Sequence, residues 1–480
     1  MSIDENQVFI NNDGLPRAQS SARQNSAQST IRSNRQFLGH PLGLFILFLT
    51  EMWERFSYYG MRALLVLYMT NHLILHIQEG TYVFGFGGLK AGLESVFGPL
   101  AVQPLASQIY GLYTGFVFLT PVFGGLLADK VFGQRKTVIV GGVLMAIGHF
   151  LMAIESMFLL ALLFLILGNG CFKPNISTQV GSLYAEDDPR RDRAFTIFYM
   201  GVNLGAFFSP LICGTLGQVY GWHYGFAAAG IGMVIGLLIY IFGQRYLAED
   251  QLTRDTEARA TPQPLTEKEW RGIWGLGALC ALNIVFWGVY EQQGNTIQIF
   301  ADKNTNWHVL GWEMPSTWFQ SMNPAFIFLL APLLNVFWAW QSRRSKEPGS
   351  VTKMTLGCVF LGASFLVLIY AVNGMQETTK ISFLWLVACT FVYTLGELYL
   401  SPIGLSLVTK VAPKRLVGML MGMWFLSSFF GNYLAGYIGM YYERMPKDAF
   451  FLILAALGGA AGISIFAVRK PLKNAIGHSI

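Results

Sequence analysis

The sequence predicts an all-α membrane protein with twelve transmembrane helices in two six-helix bundles. Three observations lead to this fold class. The chain is 53% hydrophobic and only 12% charged, whereas soluble domains carry about 25% charged residues. Twelve segments have the apolar character and the length of about 20 residues that a membrane-spanning helix needs. The basic residues lie mostly on one side of these alternating segments.

The twelve apolar segments fall into two groups of six, divided by the long polar stretch 246–270. The predicted spans are 43–70, 106–128, 137–155, 157–181, 194–218, 224–245, 271–299, 317–341, 353–373, 381–409, 415–440 and 447–468. We therefore expect a disordered cytoplasmic tail (1–40), an N-terminal bundle (41–245), a cytoplasmic linker (246–270), a C-terminal bundle (271–470) and a second tail (471–480). The linker is too short to hold an extra pair of inserted helices.

The distribution of basic residues predicts the orientation. Of the 33 Lys and Arg residues, 25 fall on the side of the N-terminus and five on the other side, and three lie within predicted spans. Because cytoplasmic loops are enriched in Lys and Arg, both termini are expected in the cytoplasm. The expected location is the plasma (inner) membrane, with the chain crossing the lipid bilayer many times.

The first span carries a polar stripe. At about 100° per residue, one arc of roughly 140° collects charged and tyrosine side chains, namely Glu51, Glu54, Arg55, Tyr58, Tyr59 and Arg62. A charge in hydrocarbon costs at least about 2.5–3.5 kcal/mol on insertion scales. The stripe is therefore expected to line a polar cavity.

Charges of opposite sign are divided between the two predicted bundles. Arg62 and Lys173 lie in the N-terminal half, and Glu291 and Glu397 lie in the C-terminal half, which has no Lys or Arg deep in its spans. The two carboxylates therefore need partners from the other half, or must be protonated. We expect Arg62 to pair with Glu291 and Lys173 with Glu397, as gates that form when the halves close. A static ion network that only holds the bundle together is the alternative.

Two matching motifs support a binding site between the halves. Residues 168–174 and 396–402 each combine a glycine, a charged residue and a mid-helix proline, and corresponding interruptions in two halves indicate a site at their interface. Four more polar or aromatic residues share these faces, although each one taken singly is more typical of helix packing: Asn203, Asn323, Trp424 and Ser428.

Several function classes are not expected. The chain has no phosphate-binding loop of the Walker type and no enzyme constellation, and its histidines and cysteines show no metal-ligand spacing. No basic stripe or groove-reading motif indicates nucleic-acid binding. We therefore expect no catalytic residues, no cofactor, no metal and no nucleic-acid partner, and an ion gradient as the energy source.

Motifs spread along the chain resemble those of the proton-coupled oligopeptide transporter family, the peptide branch of the major facilitator superfamily. The first is Glu51-x-x-Glu54-Arg55-Phe56-x-Tyr58-Tyr59-Gly60. The others are Lys173-Pro174-Asn175-Ile176-Ser177, Phe195-x-x-Phe198-Tyr199-x-x-Val202-Asn203-x-Gly205, Glu291-Gln292-Gln293-Gly294 and Gly396-Glu397-Leu398-Tyr399-Leu400-Ser401-Pro402. The loop 125–136 also resembles the major facilitator loop signature.

The resemblance implies the major facilitator fold and the import of di- and tripeptides together with protons by a protein that we expect to be monomeric. It implies proton coupling by Glu51, Glu54, Arg55 and Glu291. Arg62 and Lys173 would bind the peptide carboxylate, and Glu397 its amine. Asn203 and Asn323 would hold the backbone, and the side-chain pockets would be lined by Tyr58, Tyr59, Trp424 and Ser428.

The chain departs from the family pattern in two places. Many bacterial members insert two helices between the halves, whereas the linker 246–270 is too short to hold them. Phe118 stands where members often have tyrosine.

Two other functions remain open. A related carrier of another small anion, such as nitrate, would not require Glu397 as a charge partner. A non-transporting membrane receptor would have no use for titrating carboxylates.

Overall fold

The computed structural model describes residues 36–185, 188–248, 266–309, 311–374, 379–411 and 417–476. Most of the predicted N-terminal tail and linker (1–35 and 249–265) and residues 477–480 lie outside these ranges. The described part of the chain contains twelve helices of 18 or more residues. Each of the twelve predicted spans overlaps one of them.

The N-terminal half contains eight α-helices, joined by short 3-10 and π-helical turns. They are α1 (Leu42–Tyr68), α2 (Ile74–Gln78), α3 (Phe86–Phe97), α4 (Val102–Leu127), α5 (Gln134–Leu151), α6 (Phe158–Ser182), α7 (Arg191–Ser209) and α8 (Trp222–Gly243). The π-helical turns are Met69–Leu73, Ala128–Phe132, Pro210–Gly214 and Leu216–Tyr220, and the 3-10 turns are Glu155–Met157 and Gln244–Tyr246.

The C-terminal half contains seven α-helices. They are α9 (Glu267–Tyr290), α10 (Thr296–Lys303), α11 (Phe319–Arg343), α12 (Ser350–Val372), α13 (Phe383–Val411), α14 (Val417–Gly439) and α15 (Lys447–Ile476). Two 3-10 turns, Glu291–Gly294 and Ser316–Trp318, precede α10 and α11. The outer end of the molecule is defined as the end that holds α2, α3 and the stretches 304–309 and 311–318, and the inner end is the opposite one.

Six two-residue strands form three small ladders in the connections. At the inner end, β1 (Gln36–Phe37) pairs antiparallel with β2 (His40–Pro41). At the outer end, β3 (Thr305–Asn306) pairs parallel with β6 (Ile381–Ser382). There, β4 (His308–Val309) also pairs antiparallel with β5 (Trp312–Glu313).

Nine helical segments in the described residues are long and apolar enough to cross a membrane. The all-helical, membrane-spanning character is therefore confirmed. The long helices α1, α5 and α14 are not in that set. In α1 the charged stripe interrupts the apolar run, so this helix depends on its neighbours in the bundle to shield its charges.

The two halves meet along two helix pairs, α4 with α14 and α7 with α11. Small residues allow the first pair to approach closely, since a Cβ atom on Gly111 would lie 2.7 Å from the Cα of Gly436. This is the small-residue packing typical of membrane helices. Within the N-terminal half α1 packs on α7 and α8, and within the C-terminal half α12 packs on α13 and α15.

Three sequence-based boundaries change. Residues 36–40, the end of the predicted tail, form the β1–β2 ladder together with Pro41, and the ring of His40 is hydrogen-bonded to the Tyr184 hydroxyl at 2.8 Å. The stretch 71–105, which separates the first two predicted spans, is largely helical. The predicted span 271–299 begins earlier, at Glu267, because Thr266 forms a capping box with Glu269.

Candidate functional site

A cavity of about 440 Å³ lies between the two halves. Its volume falls within the range of about 300–1,000 Å³ that is usual for small-molecule sites. Ten of the thirteen predicted site residues line it, namely Glu51, Arg55, Tyr58, Tyr59, Arg62, Lys173, Asn203, Glu291, Asn323 and Glu397. The sequence pattern therefore located ten of the 24 described residues that line this cavity, including its charged side chains.

The inner part of the α1 stripe forms a compact ion cluster. Arg55 Nε lies 3.2 Å from Glu51 Oε1, and Arg55 also holds Glu54 through two contacts, of which Nη2 to Oε1 is 2.7 Å. Glu54 is fully buried behind this pair and does not line the cavity, and Asn169 donates to it at 3.4 Å. The other Glu51 oxygen, Oε2, is buried and has no hydrogen-bond partner among the described residues. The cluster thus leaves one carboxylate oxygen available beside the cavity.

The outer part of the stripe joins the two halves. Arg62 Nη2 lies 2.5 Å from Glu291 Oε2, and Arg62 Nε donates to the Tyr110 hydroxyl at 2.8 Å. Arg62 and Glu291 are both buried. The predicted ion pair is therefore present, and Tyr58 and Tyr59 lie between it and the inner cluster, with Arg55 over the Tyr58 ring and Arg62 over the Tyr59 ring.

The backbone around Glu291 differs from the prediction of one continuous helix. Here α9 ends, a 3-10 turn covers Glu291–Gly294, and α10 starts after Asn295, whose φ and ψ are −111° and −100°. A Cβ atom on Gly294 would overlap the Tyr110 hydroxyl and lie 3.0 Å from Arg62 Nε. Only glycine therefore allows this turn to approach α1 and α4 closely enough for the ion pair.

The second predicted ion pair is not formed. No ion pair within 4.0 Å joins Lys173 to Glu397 in the part of the chain that the structure describes. Instead, the Lys173 ammonium lies 4.6 Å from the centre of the Phe118 ring, a cation–π distance. Glu397 accepts a hydrogen bond from Asn323 Nδ2 at 2.8 Å. Both residues line the cavity that lies between their helices, which leaves one positive and one negative group facing the same space.

Three other predicted residues make contacts within their own halves. Asn203 lines the cavity and donates to the Tyr199 carbonyl of its own helix at 3.0 Å. Trp424 and Ser428, both on α14, lie outside the cavity lining. The Trp424 ring covers Gly404, and the Ser428 carbonyl accepts a hydrogen bond from Asn432.

Sequence reasoning missed several lining residues, among them Trp287, Gln293 and Gln320. Trp287 Nε1 is buried and has no hydrogen-bond partner among the described residues. Trp287 precedes Glu291 by four residues, which places both on one helical face. This four-residue spacing is the sequence feature from which Trp287 could have been predicted as a lining residue. Gln320 had no such signal, because it reaches the site only through the tertiary arrangement of α11.

Hydrogen bonds join the two halves at the outer end. Ser107 Oγ donates to Asn295 Oδ1 at 2.8 Å, and Asn71 Nδ2 donates to Asp302 Oδ2 at 3.0 Å. Further bonds across the halves at this end are Gln103 to the Gly439 carbonyl, Thr317 to Gln218, and Trp318 to Thr215. Together with the Arg62–Glu291 pair, they join the two halves at this end of the molecule.

Curated relatives cover nearly the full chain. A peptide transporter called YePEPT from Yersinia enterocolitica is 35% identical, over 86% of this chain and 90% of its own length. A di-/tripeptide transporter from Lactococcus lactis subsp. cremoris is 31% identical, over 94% of this chain and 99% of its own. An uncharacterized transporter, YclF from Bacillus subtilis, is also 31% identical, with the same coverage of 94% and 99%.

Solved structures agree with the fold and with these relatives. A crystal structure of peptide transporter POT in complex with sulfate has 31% identity and a TM-score of 0.78, and it covers 94% of this chain and 99% of that chain. A POT family transporter in complex with 5-aminolevulinic acid has 27% identity and a TM-score of 0.78, with coverage of 92% and 99%. The POT family model itself matches residues 135–263 and 263–453. The chain is therefore an integral membrane protein that belongs to the POT family of transporters.

Proposed function

We propose that this protein is a proton-driven symporter that imports di- and tripeptides across the plasma (inner) membrane by alternating access. All twelve long helices cross the bilayer, both termini are cytoplasmic, and no extra helix pair lies between the halves. Support for the orientation comes from the excess of Lys and Arg at the inner end. Support for the substrate comes from relatives named as peptide transporters.

The observation that carries the proposal is the pair of opposite charges that face the cavity without an ion pair between them. A short peptide is a zwitterion whose charges sit at its two ends. Lys173, held over Phe118, is placed to bind the peptide carboxylate, and Glu397, with its Asn323 partner, to bind the peptide amine. Charge-assisted hydrogen bonds of this kind are the strong ones. The peptide thus takes the place of the direct Lys173–Glu397 contact.

Apolar and aromatic side chains line the remaining wall of the cavity. Phe118, Tyr58, Trp287 and Ile327 provide surface against which peptide side chains can pack. One methylene in such a pocket is worth only about 1–3 kcal/mol of discrimination. We therefore infer that the ends of the peptide are recognised strictly and its side chains loosely.

The buried Arg62–Glu291 pair serves as the outer gate in this proposal. Protonation of Glu291 from the outside removes its charge, so Arg62 loses its counter-ion and the outer end can open. Loss of the proton toward the inside restores the pair and closes it. A ligand or proton can shift such an equilibrium only through its different affinity for the two states. Glu51, Glu54 and Arg55 form the second proton-coupling group, next to the peptide.

The test is uptake of labelled dialanine into proteoliposomes under an inside-negative, outside-acid gradient. We expect accumulation above the external concentration that collapses with a protonophore and is blocked by unlabelled dipeptides. Gradient-driven nitrate uptake without dialanine uptake would favour the anion carrier. Binding of dialanine without any uptake would favour the receptor. Either result would contradict the proposal.

A further inference from the structure

Two histidines and a glutamate meet at the outer end of the N-terminal half. His72 lies in the π-helical turn after α1, His76 lies in α2, and Glu155 begins the 3-10 turn before α6. His72 Nε2 is 2.7 Å from Glu155 Oε1, and His76 Nδ1 is 3.6 Å from Glu155 Oε2. The two imidazole rings are 4.0 Å apart between centres. This cluster is separate from the cavity and takes no part in the proposed transport mechanism.

The geometry suits a transition-metal ion. One donor atom from each of the three side chains lies within 4.8 Å of the other two. Tetrahedral ligands at about 2.0–2.1 Å from zinc are roughly 3.3 Å from one another, and the two donor distances to Glu155, 2.7 and 3.6 Å, lie on either side of that value. Small side-chain rotations are therefore enough to admit an ion.

The site is both accessible and held in place by the backbone. The side chains of His72, Glu155 and His76 are 26%, 34% and 39% exposed, so an ion can enter from solvent. The Thr81 amide donates to the His76 carbonyl, and the Phe84 amide donates to the Ser156 carbonyl, both at 2.9 Å. The loop after α2 thus holds the histidines and the Glu155 turn against each other independently of any metal.

The types of donor atom indicate which class of ion the site would bind. Two imidazoles and one carboxylate are ligands that zinc accepts, and water can complete a four-coordinate shell. Imidazole nitrogens favour Zn²⁺, Cu²⁺ or Ni²⁺, whereas Ca²⁺ and Mg²⁺ need more oxygen ligands. Histidines spaced i, i+4 on one helical face are a recurring zinc arrangement.

We propose that His72, His76 and Glu155 form a binding site for one divalent transition-metal ion of the class that includes Zn²⁺. This revises the sequence-based expectation of no metal site. The i, i+4 spacing is visible in the sequence, but Glu155 is 83 residues from His72 and only the fold brings it close. The neighbouring residue, Asn71, donates across the halves to Asp302. A bound ion stiffens the π-helical turn Met69–Leu73, which carries this contact.

The test is isothermal titration of tag-free, chelator-treated full-length protein with zinc chloride. We expect one Zn²⁺ per chain, and at least a tenfold loss of affinity in His72→Ala and in His76→Ala, with a smaller loss in Glu155→Gln. His308→Ala is the matched control. His308 is also exposed at the outer end and lies 3.9 Å from Glu313, but it has no second histidine beside it, so its removal leaves Zn²⁺ affinity unchanged.

Two outcomes would overturn the site. One is wild-type protein with no saturable Zn²⁺ binding. The other is a double variant, His72→Ala with His76→Ala, that keeps the wild-type affinity, since the ion would then bind elsewhere. His72→Gln and His76→Asn, checked for a monodisperse size-exclusion peak, separate loss of the ligand from loss of the fold. A thermal shift on adding zinc chloride must be lost in these variants too. The result does not depend on peptide transport.

Discussion

Two buried polar atoms beside the cavity have no protein partner among the described residues. They are Glu51 Oε2, an acceptor, and Trp287 Nε1, a donor. An unpaired buried group costs about 1–3 kcal/mol, and these two belong to residues that line the cavity, where a ligand could satisfy them. In the proposed mechanism, the Glu51 oxygen would take a proton or accept from a peptide N–H, and the indole N–H would donate to a peptide carbonyl.

Replacing Trp287 by Phe removes that donor and keeps most of the aromatic surface. We expect KM for dialanine to rise about 2- to 12-fold, which corresponds to one lost hydrogen bond worth about 0.5–1.5 kcal/mol. The KM is measured from uptake rates at a series of dialanine concentrations. Trp338→Phe is the control, because Trp338 Nε1 is also buried with no hydrogen-bond partner among the described residues but does not line the cavity. An equal rise of KM in both variants would contradict the assigned contact.

The Glu291→Gln variant removes the titrating carboxylate and keeps an oxygen that Arg62 can still reach. We expect proton-driven accumulation of dialanine to fall to a ratio of about one, while exchange of internal for external dialanine continues, because neutral Gln mimics protonated Glu. Glu397→Gln is expected to abolish accumulation as well, through lost binding of the peptide amine.

The control for these two variants is Glu313→Gln, at a carboxylate 69% exposed and outside the cavity. It should accumulate dialanine as the wild type does. Normal accumulation by both Glu291→Gln and Glu397→Gln would rule out the gating scheme.

At the scale of the helices, each half contains the same close contact between glycines of two neighbouring helices. A Cβ atom on Gly168 of α6 would lie 2.8 Å from the Gly141 carbonyl oxygen of α5. A Cβ atom on Gly396 of α13 would lie 2.8 Å from the Gly357 carbonyl oxygen of α12. Each of these glycines is followed six residues later by a proline inside a continuous helix. The motifs expected to interrupt the helices therefore bring helix pairs together without breaking them.

Gly357→Ala tests this packing. A Cβ atom there meets the Gly396 carbonyl oxygen at 2.8 Å and Leu400 Cβ at 2.9 Å, and overpacking of a close interface costs about 1–3 kcal/mol. We expect a lower Tm in detergent, measured by intrinsic fluorescence. Gly459→Ala is the control, since its Cβ would meet nothing within 4 Å and alanine favours the helix. A drop of Tm in Gly459→Ala equal to that in Gly357→Ala would argue against the contact.

At the scale of the whole molecule, hydrogen bonds join the two halves at the outer end, and the proposed alternating access requires these contacts to break. Ser107 and Asn295 meet there across the halves at 2.8 Å. Their replacement by two cysteines, followed by oxidation, should stop dialanine uptake, and a reducing agent should restore it. The expected loss is nearly complete, because a covalent bond prevents the outer end from opening.

A second cysteine pair serves as a control, because it distinguishes the effect of the cross-link between the halves from general effects of the oxidant on uptake. Asn283 and Ser427 form the same kind of amide–hydroxyl contact, also at 2.8 Å, but within the C-terminal half. The corresponding double cysteine variant should keep its uptake when oxidised, as should the parent chain with its five native cysteines. Full uptake by the oxidised Ser107/Asn295 variant, with cross-linking shown by mass spectrometry, would refute the closed outer gate.

The sequence by itself determined the twelve long helices, the order of the two halves and the division of charge between them. Hydropathy and the bias of Lys and Arg are properties of local segments, so they can be read without a fold. The α1 stripe was predictable for the same reason, because its side chains share one helical face. The opposite signs of Lys173 and Glu397 likewise follow from the sequence alone.

Only the tertiary structure decided how these groups meet. The turn at Glu291–Gly294 forms because Gly294 packs on Arg62 and Tyr110, which belong to other helices. The absence of a direct Lys173–Glu397 contact in the described residues, and the approach of Glu155 to two histidines, likewise depend on residues far apart in the chain. Such contacts are set by the packing of whole helices, and no local pattern contains that information.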